Sequence, residues 1–235
     1  MSKKNILVIG PVSPGPEDIA TIAKTLSFLD EEYTIDYLDP LSIIEDVPNQ
    51  EYYQLWEQLL ASRINEYDAF IGFSFGGVII QQCFSLFAKT HKAIILFSTP
   101  TFADRSLTQK LGAVINLCQE KKLPEALHAL YQPVFSPNEI PAQALKLSNP
   151  TMACERLIFG LTRVLQTNST ELLQKTTVDH LHLIGEYSDL VNTKNVITPH
   201  TGRLVLVPKS SMRVLQDNPS FCKEIILETL NNEVK

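Results

Sequence analysis

No apolar run in this sequence approaches the ~20 residues that a membrane-spanning helix needs. Basic charge is in short supply: 20 lysines and arginines face 26 aspartates and glutamates, giving a formal net charge of −6. Nucleic acid and anionic membrane both bind a basic face that displaces counterions, so neither is the expected partner. Cysteine is sparse. Cys83, Cys118, Cys154 and Cys222 are scattered and form no Cys-x-x-Cys pair. A zinc site needs clustered ligands, so the expectation is no metal and four buried thiols in a reducing compartment. No secretory leader is expected from the first residues either. Lys3 and Lys4 precede only Ile6 to Ile9, which stop at Gly10-Pro11. The expected location is cytoplasmic.

What is present is an ordinary globular composition, 44% apolar and 20% charged, over 235 residues. That length builds one sizeable core, so a single domain over 1–235 is expected. Short β-branched runs alternate with stretches of helical spacing. Asn5 to Gly10, Tyr33 to Leu38, Ala69 to Gly72 and Ala93 to Phe97 read as strands. Between them Glu17 to Leu29, Glu51 to Ile64 and Val78 to Ala88 carry apolar residues at helical intervals. From 99 to 177 the strands stop. Leu107 to Gln119, Pro124 to Leu130, Pro141 to Leu147 and Cys154 to Leu165 look helical, punctuated by prolines. Alternation then resumes with strands at Leu181 to Gly185 and Arg203 to Val207 and a helix from Pro219 to Leu230. The pattern predicts an α/β fold, a mostly parallel sheet with helices on both faces. The helical insertion over 99–177 is expected to lie as a lid over the sheet's C-terminal edge.

Gly72-Phe73-Ser74-Phe75-Gly76 fits G-x-S-x-G, with a strand entering and a helix leaving. Such a turn lifts a serine hydroxyl above the sheet, and its flanking residues must be small where backbones crowd together. The helix behind it offers its positive dipole end to a developing oxyanion. The plainer reading is that the glycines permit a tight turn and Ser74 only caps the helix.

From Ile6 to Leu230 the chain resembles the α/β-hydrolase superfamily, in particular small esterases and thioesterases with a helical cap. The matching features are the glycine loop from Gly10, Leu38-Asp39-Pro40, the serine turn, Leu183-Ile184-Gly185-Glu186, and Leu206-Val207-Pro208 followed by Asp217-Asn218-Pro219. The resemblance implies cleavage of an ester, thioester or amide through Ser74 without a cofactor. It also implies a histidine base, an acid and an oxyanion hole. The base position falls at about Met212, which cannot accept a proton. Of His91, His128, His180, His182 and His200, the topology places all but His128 at the sheet's N-terminal edge, opposite Ser74. His128, in the lid, is the remaining candidate base. The acid position falls at Ser188. Its neighbour Asp189 is the best candidate acid, with Glu186 and Asp104 behind it. The oxyanion hole would use the N–H of Phe75 and that of residue 11. Pro11 has none, so Val12 is the candidate substitute.

Two functions stay open. One is a hydrolase or acyl transferase acting through Ser74 on a small or medium acyl ester or thioester, free or carrier-linked. The other is a binding protein on the same scaffold with an incomplete triad. Leu127, Leu130, Tyr131, Phe135, Leu157 and Phe159 are candidate pocket lining and equally ordinary lid core. A nucleotide-binding reading fails, because Gly10-Pro11-Val12-Ser13-Pro14-Gly15-Pro16 is too rich in proline to offer a row of N–H groups.

Overall fold

Ile6, Leu7, Val8 and Ile9 are all fully buried, the mark of a strand covered on both faces. In the computed structural model, which describes residues 3–145 and 149–232, they form β1 (Lys4–Ile9). With it pair β2 (Tyr33–Leu38), β3 (Ala69–Phe73), β4 (Ala93–Phe97), β5 (His180–Gly185) and β6 (Gly202–Val207). The order is β2-β1-β3-β4-β5-β6, and every pairing is parallel. Successive residues serve opposite cores. Leu7, Ile9, Phe70, Ile94 and Leu96 face one cluster, while Ile6, Val8, Ile71, Ile95 and Leu183 face the other.

The first cluster is roofed by α2 (Asn49–Arg63) and α3 (Phe75–Gln82) together with the helices that follow β4. The second is closed by α1 (Ile19–Leu26) and the C-terminal α10 (Pro219–Asn232). Chain order reverses between β1 and β3. A crevice at the carboxyl ends of the strands flanking such a switch is where open α/β sheets bind ligands. Ile9 pairs with Gly72 and Phe73 with Phe97, so the Gly10 loop, the serine turn and the end of β4 meet at that edge.

The helix after the serine turn begins at Phe75, not Val78, and breaks at Cys83 before α4 (Phe84–Phe87). Between β4 and β5 come α5 (Arg105–Gln119), α6 (Leu123–Phe135), α7 (Pro150–Gln166) and α8 (Thr170–Lys175). The two ends of this insertion are tied together: Ser169 N–H donates to Thr101 O at 2.8 Å, beside a bridge between Phe102 and Asn168. Of the helix expected over Pro141 to Leu147, residues 142–145 form a 3-10 turn, while Lys146 and Leu147 lie outside the described residues. A four-residue helix, α9 (Val214–Asp217), precedes α10. All four thiols are free and buried. Among the described residues no helix is long and apolar enough to cross a membrane.

Candidate active site

Ser74 sits at the apex between β3 and α3 with φ 49° and ψ −109°. A non-glycine residue held there costs of order 1–3 kcal/mol and needs its surroundings to fix it. Ser74 N–H donates to Phe97 O at 2.8 Å, Val78 N–H to Ser74 O at 3.1 Å, and Gly76 N–H to Gly10 O at 3.1 Å. The glycines are required by close approach. A Cβ on Gly72 would lie 2.5 Å from Gly77 Cα, and one on Gly76 would strike Ile9 O.

The serine opens into a cavity of about 750 Å³. Its walls come from the Gly10 loop (Val12, Ser13), the strand ends (Phe73, Ser98), the helices between β4 and β5 and the segment after β6 (Met212, Arg213). Leu130, Tyr131, Val134 and Phe135 of α6 face inward with Leu161 and Val164 of α7. The expected lining is thus right at Leu130, Tyr131 and Phe135. It is wrong at Leu127 and Leu157, which are buried core, and at Phe159, whose ring packs edge-on against Tyr52 at 5.7 Å.

The first loop is held from α7. Arg156 of α7 donates Nε to Ser13 O at 3.1 Å and pairs with Asp39 through two contacts of 2.9 Å. Val12 rests on Gly160, where an added Cβ would come within 2.7 Å of Val12 Cγ2. Sequence reading missed Arg156. The available signal was an arginine amid the apolar positions of α7, a helix that also buries Arg163. The N–H groups of Val12 and Phe75 have no acceptor among the described residues. Both residues therefore retain the donor that an oxyanion hole uses.

Met212, where the sequence led us to expect a base, lines the cavity, and its carbonyl accepts from Ser98 Oγ at 2.8 Å. Ser98, another residue the sequence did not single out, has φ 43°. Among the described residues no histidine lines the cavity, and no side chain hydrogen-bonds the Ser74 hydroxyl.

His128 requires correction. Ala126, Leu127, Leu130 and Phe135 occupy the buried side of α6, and helical rotation turns His128 to the exposed side, away from the cavity. His182 is also corrected. It is not at the sheet's far edge but fully buried beside Leu96, and its Nε2 accepts Thr99 N–H at 3.1 Å. Burial drives its pKa down to about 3, with His180 adding to the shift. It is thus a neutral acceptor holding the segment after β4. His91 and His200 are exposed, each ahead of its strand.

The acid fares no better. Asp189 is exposed and bound to Lys110, whose Nζ lies 2.7 Å from its carboxylate and 2.6 Å from its carbonyl. Shifting the carboxylate one residue turns it outward, while Ser188 is buried with no partner for its hydroxyl among the described residues. Asp104 caps α5 by accepting Leu107 N–H at 2.8 Å, and Glu186 accepts Lys209 N–H at 2.8 Å. Both carboxylates are committed to local structure.

No protein-family model matches the chain, and no curated protein sequence matches it. Solved structures do. An α/β hydrolase enzyme, MGS-M2, from a Medee basin deep-sea metagenome library superposes with TM-score 0.74 at 12% identity, over 98% of this chain and 90% of that one. MenH from S. aureus gives 0.71 at 16%, over 100% and 96%. An esterase, EaEST, from Exiguobacterium antarcticum gives 0.69 at 18%, over 98% and 93%. The chain has the α/β-hydrolase fold.

Proposed function

We propose that this protein binds a small or medium acyl-type molecule, free or carrier-linked, in the cavity above Ser74, and that it lacks the ordinary serine-histidine-acid relay. One observation carries the reading. Ser74 opens into a largely apolar cavity that Met212 lines and that, among the described residues, no histidine lines. The outward Asp189 and the buried Ser188 agree with it. An unassisted serine hydroxyl is a weak nucleophile at neutral pH. The ligand needs no cofactor and no metal under this reading, and the free thiols fit a cytoplasmic setting.

A second reading, hydrolysis or acyl transfer through Ser74, has its own support. The positive φ of Ser74 is a strained geometry, and the unpaired N–H groups of Phe75 and Val12 suit an oxyanion. Labelling with a fluorophosphonate probe separates the two. Slow, substoichiometric labelling with negligible hydrolysis of a short-chain nitrophenyl ester is expected. Rapid stoichiometric labelling abolished by Ser74→Ala would establish the second reading and remove the first.

A further inference from the structure

The cavity has a charged end. Arg213 follows Met212 on its wall, and its guanidinium carbon lies 4.1 Å from the ring centroid of Phe135, which faces the same space. The ring fixes the plane of the guanidinium. Among the described residues no carboxylate or carbonyl accepts from its N–H groups. Asp217 exerts a favourable field, but its carboxylate oxygens already accept Ser211 N–H at 2.7 Å and Asn138 Nδ2 at 3.2 Å.

Tyr131, on the same wall, is the second free donor. Its hydroxyl has no acceptor among the described residues, and burial pushes its pKa up to about 12, so it stays protonated. It feels the charges of both Arg213 and Asp18. Asp18 lines the cavity with its carboxylate on Gly15 N–H at 3.0 Å. Asp39 is neutralised by Arg156, and Lys24 is exposed at the rim.

We propose that Arg213 and Tyr131 form an anion-binding subsite in this cavity, and that the ligand there is a carboxylate on an apolar body that extends toward Ser74. The inference rests on the ligand-binding reading above. A planar guanidinium edge matches the two oxygens of a carboxylate. The apolar walls of α6 and α7 accommodate the body. Asp18 works against a second negative charge, which favours a singly charged carboxylate over a phosphate.

Calorimetric titration of the intact chain with 4-phenylbutyrate, 4-phenylbutyramide and 4-phenylbutyl phosphate tests this. The acid is expected to bind about ten-fold or more tighter than the amide, as loss of a charge-assisted fork implies. Arg213→Met should abolish that preference. Arg213→Lys should keep part of it, and Tyr131→Phe should reduce it. Equal binding of acid and amide to the parent protein overturns the subsite alone and needs no variant. So does a preference that survives in a folded Arg213→Met protein, or tighter binding of the phosphate. Binding of none of the three probes removes the ligand-binding reading together with the subsite.

Discussion

Ser98 Oγ donates to the carbonyl of Met212 at 2.8 Å, joining the end of β4 to the segment that would carry a catalytic base. Ser74 N–H donates to Phe97 O, one residue before Ser98. The serine turn and the base position are therefore held in register by backbone and hydroxyl contacts that ask nothing of the residue 212 side chain. The Met212 side chain makes no hydrogen bond of its own and packs against the hydrophobic core.

That separation predicts that a relay can be rebuilt. Met212→His alone places an imidazole on the cavity wall with nothing to orient it, since Asp189 faces outward toward Lys110. Adding Ser188→Asp supplies a carboxylate at a buried site whose hydroxyl now has no partner among the described residues. The pair should raise nitrophenyl ester hydrolysis by about a hundred-fold or more over the parent, and Met212→His alone by much less. Initial rates across the four proteins, with Ser74→Ala as the blank, check this.

Most strands were legible because they are short apolar or alternating runs ended by a glycine, an aspartate or a proline, whereas β4 runs on into Ser98-Thr99. The serine turn was legible because G-x-S-x-G lay between a strand and a helix. Side-chain direction was harder. Asp189 and Ser188 differ by one position, and a single residue in a loop decides which of them points inward. His182 misled because its place in sequence, near a strand's start, did not reveal that the imidazole would reach Thr99 across the sheet. Arg156 and Ser98 act on partners far away in sequence, which no local pattern encodes.

Two glycines should respond oppositely to substitution. Gly76 abuts the Ile9 and Gly10 carbonyls, so the isopropyl group of Gly76→Val has backbone in its way. The loss should exceed about 2 kcal/mol and lower soluble yield. Gly112, inside α5, has nothing within 4 Å of where a Cβ would stand. Gly112→Ala should stabilise the protein by about 0.5–1 kcal/mol through helix propensity. Denaturant titration of both variants measures the contrast. An unchanged midpoint for Gly76→Val would mean the turn can open.

Arg156 should matter to stability more than any exposed ion pair. Its side chain is 6% exposed and that of Asp39 18%. Arg156→Met leaves the Asp39 carboxylate and Ser13 carbonyl without their partner, at a cost of about 3–5 kcal/mol. Arg156→Met with Asp39→Leu removes both charges and should recover part of that loss. Equal destabilisation in the single and double variants would assign the effect to packing. Lys175 with Glu171, both largely exposed, should be dispensable by comparison.

Acid should weaken the fold through His182. Its pKa is about 3 when folded, driven there chiefly by burial, against an ordinary value of 6.5. The unfolded chain therefore takes up the proton first. The stability this histidine provides is fully present above about pH 6.5 and is lost progressively as pH falls toward about 3. His180, also shifted down by burial, acts in the same direction. Asp18 opposes them, because a carboxyl raised by burial regains stability on protonation. For His182 alone, moving from about pH 7.5 to about pH 5 should cost about 2 kcal/mol, because each tenfold rise in proton activity below about pH 6.5 favours the unfolded chain by about 1.36 kcal/mol. For a domain of this size that lowers Tm by about 4–8 °C. His182→Gln keeps an acceptor for Thr99 N–H and removes the titration. Its Tm should be lower than the parent's at neutral pH but flatter with pH. Parallel pH profiles for the two proteins would show that His182 is not the group that titrates.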